Sequence, residues 1–137
     1  MGIILDSSVV IAADRRKEAP QTFVRSVLAF AGDQEAALSA VGLTEIVHGI
    51  FRADTSERRL RREEFVRELL RGLPVYAYTR ETAMLAGQID GEQRVRGIVI
   101  PFPDRLIGAT ALHLGYSVLT ANLRHFQMIP GLAVLSI

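Results

Sequence analysis

A three-layer α/β domain with a central, mostly parallel β-sheet flanked by helices is the fold class that the sequence predicts. Two observations predict it. Short apolar runs alternate along the chain with longer segments of helical spacing, and polar residues recur just past the ends of those runs. The 137 residues suit one domain, 1–137, able to bury roughly two thirds of the surface its unfolded chain exposes. No repeat, low-complexity tract or linker divides it.

The first run, residues 2–5, leads into "LDSS" and a helix beginning near Ser7. In "PQTFVRSVLAFAG", residues 20–32, Phe23, Val27 and Phe30 form one stripe, with Pro20 suited to a helix start and Gly32 to a stop. Strand 36–39 ("AALS") precedes an apolar helix in which Val41, Ile46, Val47, Ile50 and Phe51 favour burial. Residues 56–72, "SERRLRREEFVRELLRG", are the main charge run. Ser56 is its expected cap; Glu57–Arg61, Arg59–Glu63 and Glu63–Arg67 are spaced to pair, and Leu60, Phe65, Leu69 and Leu70 form its buried stripe. Strand 73–78 ("LPVYAY") is followed by a helix over 80–97 ending at Gly97. Another helix opens at "FPDRLIGATALHLG", and strands 116–120 ("YSVLT") and 132–136 ("LAVLS") close the order.

Composition bounds the chemistry. No cysteine is present, which removes disulfides, zinc–thiolate sites and thiol nucleophiles and fits a reducing, cytoplasmic setting. No apolar stretch approaches the roughly 18 residues needed to cross a bilayer, so no membrane role is expected. The N-terminus "MGIILDSSVV" lacks a charged leader, and it matches a myristoylation signal only in part because position 6 is Asp. The net charge is +1, yet of sixteen basic residues only Lys17 is a lysine. Polyanions would therefore be met by local arginines, with Arg15, Arg16, Arg94, Arg96, Arg105 and Arg124 as candidates. A GC-rich genome is an equally good source of that bias.

Four polar residues have an unusual setting. Asp6 directly follows the first strand, where a carboxylate is costly unless it is hydrogen-bonded or holds a cation. Glu45 interrupts an apolar helix. Asp104 lies in the first turn of a helix that is small or apolar nearly all round, and so buried. Asn122 follows strand 116–120, which ends in Thr120. Each acid alone also has a structural reading: Asp6 as a helix cap, Asp104 as a complement to the helix dipole, Glu45 as an arginine's partner. Ser7 or Ser8 could orient the Asp6 carboxylate or cap the following helix, with capping the expected role, and His48, His113 and His125 read as structural. In parallel sheets, ligands sit beyond the carboxyl ends of the strands. Carboxylates gathered there and kept ionised imply a divalent cation. Oxygen ligands select Mg²⁺ or Mn²⁺, metals of phosphodiester hydrolysis.

The ordered motifs "IILDSSVVI", "LTEIVHGI" and "IPFPDRLIGATALHLGYSVLTANLRHFQMIPGLAVL" resemble those of PIN-domain proteins, and most of all the VapC-like toxins of toxin–antitoxin pairs. The resemblance spans essentially the whole chain. It implies a three-layer PIN-like fold and a Mg²⁺-dependent endoribonuclease, often a homodimer, acting on RNA and silenced by a cognate antitoxin. On that basis Asp6 and Asp104 are the expected metal-holding aspartates and Glu45 the acid of the second motif. Thr120 is the hydroxyl before the last site, and Asn122 stands in the fourth polar position, Asp in many members. The neutral amide removes one charge, so one tightly held Mg²⁺ is expected, with a second only when substrate phosphate is present.

Two other activities are consistent with the sequence: a PIN-like RNA- or protein-binding module, and a stand-alone RNA-processing nuclease. Haloacid-dehalogenase phosphatases and receiver domains also place an Asp after the first strand. They match poorly, because position 8 is Ser8 and Lys17 falls far too early.

Overall fold

The computed structural model describes residues 1–136. In chain order the elements are β1 (Gly2–Leu5), α1 (Ser7–Arg15), α2 (Pro20–Ala31), β2 (Glu35–Ser39), α3 (Ala40–Phe51) and α4 (Ser56–Gly72). They continue as β3 (Val75–Tyr76), α5 (Arg80–Val95), α6 (Phe102–Leu114), β4 (Ser117–Thr120), α7 (Leu123–Gln127) and β5 (Val134–Ser136). The strands form one five-stranded sheet in the order β3-β2-β1-β4-β5, and every pairing is parallel. β1 is central, and the chain's path reverses on either side of it. The gap beyond the carboxyl ends of β1 and β4 is therefore the topological switch point.

Both faces of the sheet are covered, which is why its strands are continuously apolar rather than alternating. Ile3 and Leu5, Ala36 and Leu38, and Leu119 point into one core with Val9, Val10, Phe23, Val27, Ile46, Ile50, Phe65 and Leu69 from α1 to α4. Ile4, Ala37 and Val118 point into the other, with Ala86, Ile89, Ile107, Ala111 and Phe126 from α5 to α7. Gly108 lets α6 come close to the chain beyond α7, because a Cβ there would overlap the Ile129 side chain.

Several elements depart from the sequence expectation. The strand expected over 73–78 is only Val75–Tyr76, because β3 is an edge strand paired on one side. The last strand begins at Val134 rather than Leu132. In α2 the buried stripe is Phe23, Val27 and Ala31, and Phe30 is 55% exposed. Positions 30 and 31 follow 27 at i+3 and i+4, both compatible with its face, and the packing of α2 against α4 and β2 turns the 31 side inward. α4 buries Phe65, Val66 and Leu69 while Leu60 and Leu70 are exposed. Phe51 is likewise exposed, lying beneath the Arg59 guanidinium.

The cap of α4 is Thr55, whose hydroxyl accepts from Arg58 N at 3.1 Å, and not Ser56, the first helical residue. Its ion pairs also differ in register, joining Asp54 to Arg58, Glu64 to Arg67 and Glu68 to Arg71. Spacing permits both i+3 and i+4 partners, and rotamers select between them.

Candidate functional site

Asp6, Glu45, Asp104 and Thr120 meet beyond the carboxyl ends of the strands. Local structure sets each of them. Asp6 is the first residue past β1, its N–H donating to Leu119 O of β4 at 2.9 Å. The Ser39 hydroxyl, fully buried at the end of β2, accepts from Gly42 N at 2.9 Å and fixes the start of α3, which carries Glu45. Pro101 precedes α6, Pro103 lies in its first turn, and Asp104 sits among the free N–H groups of that turn. Thr120 ends β4 and is 0% exposed.

Asp6 is 1% exposed. Its Oδ2 accepts from Ser8 Oγ at 2.6 Å and from Thr120 Oγ1 at 2.8 Å. Its Oδ1 is buried and has no hydrogen-bond partner among the described residues. A carboxylate with one oxygen doubly satisfied and the other orphaned is an unfavourable terminus for a buried strand unless a cation completes it. The capping roles expected from the sequence are not the ones found. Asp6 occupies the N-cap position of α1 without a side-chain cap bond. Ser7 Oγ donates to Glu45 Oε1 at 2.8 Å. Ser8 Oγ binds Asp6 and accepts from Ala121 N at 3.0 Å. Both serines spend their hydroxyls on the acids because the carboxylates lie closer and carry charge.

The acids perturb one another. Burial holds the Glu45 carboxyl above its ordinary range; the Ser7 hydrogen bond opposes this, and the charges of Asp6 and Asp104 add to it. Asp104 is also raised by burial, against the hydrogen bond from His125, with Asp6 raising it further.

Asn122 lies just past β4, at the N-cap position of α7. It is exposed, its backbone N–H donates to Thr120 Oγ1 at 2.8 Å, and its side chain makes no cap bond to α7. The residue that touches the acids from this segment is His125, whose Nδ1 lies 2.6 Å from Asp104 Oδ2. His48 and His113 are exposed, as surface histidines are. The signal for His125 was available only as position: one helical turn past Asn122 and next to Phe126, whose full burial anchors α7.

Among the described residues no three acidic or imidazole side chains form a ready-made metal cage. Mg²⁺ is commonly held by one or two carboxylates, with water or substrate phosphate in its remaining positions. Asp6 Oδ1 and Asp104 are the donors that fit. Of the candidate arginines, Arg16 pairs with Glu18 while Arg94 and Arg105 share Asp90. A separate cleft of about 250 Å³ between α1, α3 and α4 is lined by Val10, Ile11, Arg15, Ile46, Arg52 and Arg62, and none of the acids of the site lines it.

An all-parallel sheet in this order, with acids from β1, α3 and α6 gathered at its switch point, defines a class of protein. The chain belongs to the PIN-domain family, whose model matches residues 3–131. Its curated relatives include Ribonuclease VapC1 of Rickettsia felis, 30% identical over 137 residues that cover 100% of this chain and 97% of the relative. Ribonuclease VapC of Rickettsia bellii is 34% identical over 140 residues, with the same coverage of both chains. Among solved structures, the VapBC2 complex of Rickettsia felis bound to a promoter DNA fragment contains a chain of the same fold. The TM-score is 0.86 at 19% identity, over 100% of this chain and 99% of that one.

Proposed function

We propose that this protein is a metal-dependent endoribonuclease that hydrolyses RNA phosphodiesters as the toxin of a toxin–antitoxin pair. The observation that carries the reading is the orphaned Oδ1 of Asp6 at the switch point. The VapC names of the relatives support the substrate class, and one of them, from Salmonella typhimurium, is a tRNA(fMet)-specific endonuclease that is 31% identical over 71% of this chain. The VapBC complexes among the structural neighbours support a cognate antitoxin as partner. Assembly as a homodimer and action in the cytoplasm belong to the same reading.

Asp6 Oδ1 and Asp104 would hold Mg²⁺, with Mn²⁺ as a substitute. A cation held there would contribute Lewis-acid polarisation of the scissile phosphate and activation of the attacking water. Ser8 and Thr120 hold Oδ2 of Asp6, which leaves Oδ1 as the free donor atom. Glu45 keeps Oε1 on the Ser7 hydroxyl, and burial raises its proton affinity, which suits Oε2 to the role of proton acceptor. Asn122, exposed at the rim, is left to contact substrate rather than the ion. Arg15, Arg96 and Arg124, exposed and without an ion pair among the described residues, are available for backbone phosphates, which fixes RNA in place without reading its sequence.

The test is cleavage of a mixed RNA pool by the purified, antitoxin-free protein. Cleavage is expected in Mg²⁺ or Mn²⁺, with none after chelation and none by Asp6→Asn. An Asp6→Asn variant that still cuts overturns the metal assignment, and wild type that binds RNA without cutting it favours the binding-module reading.

A further inference from the structure

Among the described residues, the side chain that hydrogen-bonds Asp104 is the imidazole of His125, with Nδ1 at 2.6 Å from Oδ2. The contact joins residues 21 positions apart on two different helices, α6 and α7. Its geometry is imposed from both ends. Asp104 sits in the first turn of a helix whose inner face is fully buried. His125 is adjacent to Phe126, at 0% exposure the largest fully buried side chain of the molecule's described residues. α7 is further tied at its end by Gln93 Nε2, which donates to Met128 O at 2.7 Å. An imidazole held so firmly against a carboxylate is not a mobile surface side chain, although 42% of it is exposed.

We propose that His125 is the positioning residue of the metal centre. It donates its Nδ1–H to Asp104 Oδ2, fixes the carboxylate's rotation and leaves Oδ1 as the single oxygen offered to the cation. Asp104 is then treated as Asp6 is, with one oxygen on protein donors and one free. Groups that orient a ligand in this way tune affinity nearly as strongly as the ligands themselves, because the cation need not immobilise a rotating carboxylate on binding. The proposal also explains why Asn122 is free to lie exposed: the α7 segment reaches the centre through the residue one turn later. This inference rests on the nuclease reading, since it needs a cation at Asp6 and Asp104.

The experiment is a Mn²⁺ titration followed by electron paramagnetic resonance, on the full chain without RNA. Wild type, His125→Ala, His125→Asn, Asn122→Ala and Asp6→Asn are compared, with thermal melts of the metal-free forms as a folding control. His125→Ala is expected to weaken Mn²⁺ binding about 10–100-fold. His125→Asn, whose amide N–H falls near the position of Nδ1, is expected to recover most of the loss, and Asn122→Ala to bind as wild type does. A folded His125→Ala protein with wild-type affinity overturns the proposal. So does a His125→Asn protein as weak as His125→Ala, which would make the ring a direct ligand. If wild type and Asp6→Asn bind alike, the metal-centre reading itself has failed, an outcome separate from either of these.

Discussion

The hydroxyl of Thr120 donates a 2.8 Å hydrogen bond to Oδ2 of Asp6, joining the carboxyl ends of two neighbouring strands across 114 positions of sequence. The same oxygen atom of Thr120 accepts from Asn122 N, so one side chain both orients the acid and shapes the loop behind it. Thr120→Val keeps the volume and removes both interactions. It is expected to cost about 1–3 kcal/mol of stability, the range for buried polar groups left unpaired, and to lower metal affinity or activity about 10–100-fold. Chemical denaturation and Mn²⁺ binding measure the two effects separately.

Glu45 gives a pH prediction. Burial raises its proton affinity in the folded state above that of the unfolded chain. The stability conferred by the protonated form is therefore complete below the ordinary glutamate value of about 4.3 and is lost as pH rises through the raised folded value. Asp104 adds to the trend in the same direction. In chelated protein, Glu45→Gln should match wild type in acid and exceed it in Tm at neutral pH. Equal melting curves at both pH values would remove burial of Glu45 as the cause.

Metal stoichiometry follows from the donor set. With Asp6 and Asp104 as ligands and an exposed amide at position 122, the substrate-free protein is expected to bind one Mn²⁺ tightly. A second should bind only when an uncleavable RNA supplies phosphate oxygens. Calorimetric titration with and without that RNA reads the count, and two tight, equivalent sites in the free protein would contradict it.

Gly108 links packing to the site. A methyl group there meets the terminal carbon of the buried Ile129 side chain, so Gly108→Ala forces Ile129 to repack or α6 to shift from the chain beyond α7. Overpacking of this kind costs about 1–3 kcal/mol. Because α6 carries Asp104 and α7 carries His125, the variant should also weaken metal binding, which Gly87→Ala, on open helix surface, should not.

Much of this protein was legible in the sequence by itself. The alternation of short apolar runs with helical segments determined the layers and the parallel sheet, since strands buried on both faces must be apolar throughout. The ends of those runs singled out Asp6 and Thr120, and Glu45 and Asp104 stood out as acids on otherwise apolar helices. Periodicity was weaker where several residues of one helix competed for the core. Phe30 and Ala31 differ by one position, and only packing against β2 and α4 turned Ala31 inward. Hydrogen-bond partners were beyond reach altogether. Ser7 and Ser8 had the composition of caps, yet tertiary structure placed carboxylates within reach of both hydroxyls. Asn122 and His125 lie three positions apart, and the sequence singled out the first. The short helix α7, pinned by the buried ring of Phe126, turns His125 onto Asp104 and leaves the Asn122 side chain exposed.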